Sequence, residues 1–162
     1  MAESSRTTRR RESEAENETE VEDYSELRAI FVNCTLKPPE QPSHTALLLD
    51  ASAQIMRKHG VRVDELRPTA HAIAPGVYSD MTEHGWPRDE WPALWPRILG
   101  ADIVVLGTPI WLGEPSSVCR LVIERLYAMS GELNDKGQSV FYGRVAGTVV
   151  TGNEDGIKHC AA

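Results

Sequence analysis

Apolar positions along this chain switch repeatedly between two spacings. The first dense run, "RAIFVN" at residues 28–33, is β-branched and aromatic and reads as a strand. Polar, proline-rich "CTLKPPEQP" follows as a loop. Over residues 43–60, Leu47, Leu48, Ala51 and Ile55 recur at helical spacing. Ser43 is placed to cap that helix, basic residues fill its last turn, and Gly60 ends it. "VRVDEL" (61–66) alternates like a strand, and residues 68–87 have no period and read as a long loop. A helix comes next, with Trp91, Leu94, Trp95, Ile98 and Leu99 on one face and Pro92 in its first turn. Pro96 conflicts with that helix, because it removes a hydrogen bond and crowds the preceding turn.

"ADIVVLGT" (101–108) is nearly continuous in apolar residues, the pattern of a strand buried on both faces of a parallel sheet. Pro109 is expected to end its pairing. "EPSSVCRLVIERLYAMSG" is a helix with Val118, Leu121, Val122, Leu126 and Met129 on one stripe, and "RVAGTVVT" (144–151) is another strand. "GNEDGIKHCAA" begins a further element. Strands alternating with helices imply an α/β chain with a doubly wound parallel sheet.

Ligands of such sheets bind beyond the carboxyl ends of the strands, where strand order reverses. For the order 2-1-3-4-5 that point falls between loops 34–45 and 108–117, with loop 151–156 alongside. The first loop ends at a helix start, which offers amide groups and a partial positive charge to a phosphate. Thr35, Ser43 and Thr45 add hydroxyls, and Lys37 or His44 add charge. An ordinary capped loop has the same composition. In the second loop, Gly113 permits a tight turn that presents Ile110, Trp111 and Leu112. Trp111 either faces a flat, amphipathic ligand there or packs on a helix or subunit interface. In "TGNEDG" (151–156), backbone amides and Asn153 suit a ring edge, while Asn153 or Asp155 suits a plain cap equally well.

Charge and composition narrow the chemistry. The 162 residues fit one domain, and 41% of them are hydrophobic. Residues 1–26 hold 4 Arg against 9 Asp and Glu, so −5 of the net −7 sits in a segment too polar to bury itself. That segment is expected to be a disordered acidic tail, with residues 27–162 as the folded domain. The near-neutral body gives no support for nucleic-acid binding. No apolar run approaches the roughly 20 residues that span a bilayer, so no membrane partner is expected. Cys34, Cys119 and Cys160 are widely spaced and odd in number, which fits reduced thiols and a cytoplasmic setting, with no metal site.

Three phosphate chemistries fail on residues. "NCTLKP" lacks the glycines of a dinucleotide fingerprint. A Cys-x5-Arg phosphatase loop would place Arg where Glu40 stands, and a receiver domain needs acids where Asn33-Cys34 and Gly107-Thr108 stand. Cys34 is then a small buried residue.

"VVLGTPIWLGEPSS" followed by a helix, and then "GRVAGTVVTGNEDG", resemble the NAD(P)H-dependent FMN reductase family of flavodoxin-like proteins. The resemblance runs from about Arg28 to the end. It implies a flavodoxin-like sheet of order 2-1-3-4-5 with noncovalent FMN at the strand ends and NAD(P)H as substrate. By position, Thr35, Ser43, His44 and Thr45 would hold the phosphate. Pro109, Ile110, Trp111, Leu112 and Gly113 would line the isoalloxazine edge and face, and Thr151, Gly152, Asn153, Asp155 and Gly156 its other side. Backbone amides of 110–113 and 152–156 would tune the ring, and no acid–base residue is assigned. The implied activity is hydride transfer from NAD(P)H through FMN to a quinone, free flavin or other small acceptor, in a homo-oligomer. The alternatives are a flavodoxin-like electron carrier, against which the body's −2 argues mildly, and a non-catalytic flavodoxin-like domain. The sequence departs from the family in its stiff "TLKPPEQPSHT" loop. It also ends at Ala162, where the family continues through a helix and a fifth strand, so a truncated sheet lacking that strand is expected.

Overall fold

The computed structural model describes residues 22–161. Its sheet is built around β3 (Ile103–Trp111). On one side β3 pairs in parallel with β1 (Arg28–Asn33), which pairs in parallel with β2 (Arg62–Leu66). On the other side it pairs in parallel with β5 (Val145–Thr151). A two-residue strand, β4 (Glu114–Pro115), folds back antiparallel on the end of β3. The parallel order is therefore β2-β1-β3-β5, the doubly wound order expected, and no described strand pairs the outer edge of β5.

Helix α1 (His44–Lys58) covers one face, while α2 (Trp91–Leu99) and α3 (Ser117–Ala128) cover the other; α4 (Ile157–Ala161) follows β5. β1 shows why the sheet needs both layers. Its Ile30 and Val32 pack with Trp91, Ile98 and Val122, and its Ala29 and Phe31 pack with Leu49 and Ala53. Successive strand residues point to opposite faces, so a continuously apolar strand is stable only between two helix layers.

The apolar stripe assigned to α1 is not the one that packs. Leu47, Leu48 and Ile55 are 66%, 46% and 63% exposed and Ala51 is also exposed; Thr45, Leu49 and Ala53 are buried instead. The cause lies in β3. Leu49 sits directly over Gly107, where an added Cβ would come within 2.4 Å of Leu49 Cδ1. Three consecutive leucines offer two possible helix faces, and the hollow at Gly107 selects the one containing Leu49.

Two prolines also behave differently from expectation. Pro109 does not end β3, which pairs with β5 as far as Pro109↔Thr151 and continues to Trp111. β1 has already stopped at Asn33↔Gly107, so the proline lies where β3 has a neighbour on one side only. Pro96 stays inside α2, which is anchored by the stacked, buried indoles of Trp91 and Trp95. Packing there outweighs the lost hydrogen bond.

Of the expected acidic tail, residues 1–21 lie outside those described. Glu22 to Glu26 join the body: the Tyr24 N–H donates to the His59 carbonyl at 2.8 Å.

The long segment 67–90 contains two 3-10 turns, Pro68–Ala70 and Met81–His84, and is organised by Asp89. This carboxylate accepts the N–H groups of Ala74 (3.2 Å), Met81 (3.0 Å) and Trp91 (3.1 Å), and Nη2 of Arg125 at 2.7 Å. Both charged side chains are fully buried. The Arg125 guanidinium also lies 5.6 Å from the Trp91 ring centroid. Burial lowers the Arg125 pKa and the Asp89 charge opposes that shift. Removing one member of a buried pair leaves the other charged and unsolvated. Asp89→Ala should therefore destabilise the protein by about 3–5 kcal/mol, measured by urea unfolding.

Candidate functional site

The register brings three loops to one end of the sheet. Asn33 of β1 is level with Gly107 of β3, which is level with Val149 of β5. The chain leaves β1, β3 and β5 from this level, so loop 34–43, the β3–β4 hairpin and loop 152–156 surround one cleft. Its walls are Thr35, Lys37, Ser43, His44, Thr45, Pro109, Ile110, Trp111, Thr151, Gly152 and Asn153, enclosing about 190 Å³. A larger depression of about 380 Å³, lined in part by Arg28, Arg62 and Arg97, lies at the opposite end of the strands.

The floor is the N-terminus of α1. Ser43 caps it, its Oγ accepting from the Ala46 N–H at 3.0 Å. The first intrahelical bond is from Leu47 N–H to the Ser43 carbonyl, so the amides of His44 and Thr45 have no acceptor within the helix. Thr45 Oγ1 lies 2.7 Å from Thr151 Oγ1, which joins the helix start to the end of β5. On the facing wall Asn33 Oδ1 accepts from Thr35 N–H at 3.3 Å. The Lys37 ammonium donates to the Pro42 carbonyl at 2.9 Å. Hydroxyls, unpaired amides and one cation line the cleft, and no carboxylate does. Glu40 is exposed and lies off the wall. This donor set suits a phosphate.

The hairpin forms the rim. Leu112 and Gly113 make its two-residue turn with φ of +53° and +78°. Gly156 permits close approach there: a Cβ on it would lie 2.6 Å from Gly113 Cα. The Leu112 N–H donates to the Glu154 carboxylate, so that amide is already engaged. Trp111 is 47% exposed and faces the cleft, while the Leu112 side chain is 94% exposed. Leu112, Gly113, Asp155 and Gly156 therefore lie outside the wall. Gly113 and Gly156 hold the hairpin against the last loop, and Glu154, absent from the expected set, engages the turn.

Two further buried hydroxyls tie the rim together. Ser116, the cap of α3, donates to the Cys34 carbonyl at 2.6 Å and accepts from the Cys119 N–H at 3.1 Å. Its own N–H donates to Thr108 Oγ1 at 3.0 Å. The cap signal was readable in "PSSVC"; the contact across the sheet was not. Cys34 is fully buried, and its hydrogen bond with the Cys119 side chain, with burial adding, pushes its thiol pKa well up. Cys34 does not line the cleft. The described residues contain no cluster of three His, Cys, Asp or Glu able to hold a metal, and no helix long and apolar enough to cross a membrane.

Residues 28–162 match the family described as NADPH-dependent FMN reductase. The chain belongs to that family. FMN and NADPH are the cofactor and reductant by which the family is described. RosB, solved with bound 8-demethyl-8-formylriboflavin-5'-phosphate, is similar with a TM-score of 0.74 and 35% identity, covering 83% of this chain and 55% of RosB. The 8-demethyl-8-aminoriboflavin-5'-phosphate synthase of Streptomyces davaonensis is 34% identical over 83% of this chain and 54% of its own length. A Mycobacterium bovis protein named divalent metal cation transporter MntH is 59% identical over 85% of this chain but only 20% of itself. The chain thus spans a fifth to about half of the curated relatives it matches. A Klebsiella pneumoniae quinone reductase (18% identity, TM-score 0.53, 76% of this chain and 58% of that one) and a Bacillus anthracis azoreductase (21%, 0.51, 84% and 76%) share the fold.

Among FMN reductase relatives the flavin phosphate needs a seat, and the hydroxyl-and-amide floor fits one. At about 190 Å³ the cleft is below the ~300 Å³ low end for small-molecule pockets, too small to enclose a whole flavin. Ser116→Ala removes the α3 cap and the link to Cys34. It should destabilise the protein by about 1–2 kcal/mol in urea unfolding.

Proposed function

We propose that this chain carries the FMN-binding portion of an NAD(P)H-dependent oxidoreductase acting on a quinone, free flavin or other small acceptor. The observation that carries the reading is a cleft that combines the hydroxyl-and-amide start of α1 with the half-exposed Trp111. Thr35, Ser43 and Thr45 would hold the phosphate through their hydroxyls, His44 and Thr45 through their amides, and Lys37 would supply charge. Pro109, Ile110 and Trp111 form an apolar wall for the ring system, and Thr151, Gly152 and Asn153 border its opposite edge. Bound FMN supplies hydride acceptance and onward electron transfer, which side chains cannot perform. The protein orients the ligand and shields one face of it from water. Leu112, Gly113, Asp155 and Gly156 support the rim and do not form its wall. A second copy of the chain is the proposed partner at the open side of the cleft.

A second reading is favoured by the resemblance to RosB and the synthase: a riboflavin 5'-phosphate derivative would enter as substrate in the same cleft. The two readings share the phosphate seat and differ in their need for nicotinamide.

Anaerobic mixing of the FMN-loaded protein with NADPH separates them. Loss of the oxidised-flavin absorbance is expected; a loaded protein whose spectrum NADPH leaves unchanged would sink the oxidoreductase reading. FMN should also quench tryptophan fluorescence. Trp111→Ala should weaken FMN by the roughly 0.5–1.5 kcal/mol typical of an aromatic stacking contact, measured by titration. Unaltered affinity in that variant would return Trp111 to a structural role.

A further inference from the structure

Arg67 lies outside the cleft, immediately after β2, yet its guanidinium holds the proline-rich loop that carries Thr35 and Lys37 to the cleft wall. Nη1 donates to the Pro39 carbonyl at 2.9 Å. Nη2 lies 3.0 Å from the Lys37 carbonyl, 2.7 Å from that of Pro38 and 2.9 Å from that of Gln41. Thr69 Oγ1 adds a second donor to the Lys37 carbonyl at 3.2 Å. Four carbonyls from one short loop converge on one cation.

The sequence explains why a cation is needed. The carbonyls of Lys37, Pro38 and Gln41 each precede a proline, so their peptide units have an acceptor and no N–H. "KPPEQP" is thus rich in partial negative charge and poor in donors, an adverse composition beside a phosphate. Arg67, which does not line the cleft, gathers those oxygens. It also fixes Lys37, the one ammonium on the wall. The Lys37 carbonyl is held by Arg67 and Thr69, its N–H donates to Thr35 Oγ1 at 3.4 Å, and its Nζ spans to Pro42. If the guanidinium is removed, the carbonyls become unpaired acceptors able to turn toward the cleft, and Lys37 loses one of its anchors.

We infer that Arg67 is a positioning residue for phosphate recognition: it sets this chain's preference for FMN over riboflavin without touching the ligand. This rests on the flavin-binding reading above.

The test compares FMN and riboflavin binding by flavin fluorescence in the wild type, Arg67→Met and Arg67→Lys. Arg67→Met should weaken FMN roughly tenfold or more, the scale of a lost hydrogen bond to a charged group, with little change for riboflavin. Arg67→Lys keeps the charge but cannot reach four carbonyls, so its loss should be smaller and again confined to FMN. Ligand-free hydrogen exchange should quicken at Gln41, whose N–H donates to the Pro38 carbonyl at 3.0 Å, and stay unchanged in β1 and β3. Equal weakening of both ligands would overturn the inference, because Arg67 would then serve only the fold. Unchanged preference for FMN in a variant would overturn it as well, while leaving the flavin reading standing. A wild type that binds neither ligand would remove both. Should Arg67→Met fail to fold, Arg67→Lys carries the same comparison.

Discussion

The seat of Leu49 on Gly107 decides where α1 lies, and the cleft depends on that position. A methyl group on Gly107 would collide with the leucine, so a bare backbone lets the helix settle close to β3. Once settled, its N-terminus reaches Thr151 at the end of β5, and the Thr45–Thr151 hydrogen bond marks the junction. The parallel register does the rest by stopping β1 near the level at which β3 enters its hairpin. A core contact thus places the amides of His44 and Thr45 where an anion can meet them.

Two arginines hold the irregular parts of the chain, each in a different way. Arg125 is buried against a carboxylate and an indole and clips the 67–90 segment to α3. Arg67 uses neutral backbone carbonyls of the loop that follows β1. Both face inward to backbone, which explains how long non-repetitive loops keep a defined shape with little core of their own.

The strands and the Ser43 cap of α1 were legible because they follow from spacing and cap residues; the sheet order came from the family resemblance, and Glu114–Pro115, read as a helix start, forms β4 instead. "RAIFVN", "VRVDEL", "ADIVVLGT" and "RVAGTVVT" each match an observed strand, with β3 running further than its reading. The three loops of the cleft followed from the fold rule for strand ends. The face of α1 was not legible, because "LLL" leaves the choice to a glycine some sixty residues away. Arg67, Asp89 and Arg125 were invisible for a related reason: a charged residue reads as exposed until its distant partners are known. Leu112 and Asp155 entered the expected set through the family resemblance; in the structure they lie on the hairpin turn and the last loop, outside the residues that line the cleft.

β5 has a further consequence. "VAGTVVT" carries no charge and no proline, and its outer edge has no strand beside it among the described residues. The leucines of α1 that the core did not accept are exposed on the helix covering the same face of the sheet. Among the described residues this β-branched ribbon leaves the backbone groups of one edge available to a further strand. A strand laid along that margin, from the same protein or from a partner, would complete its backbone pairing.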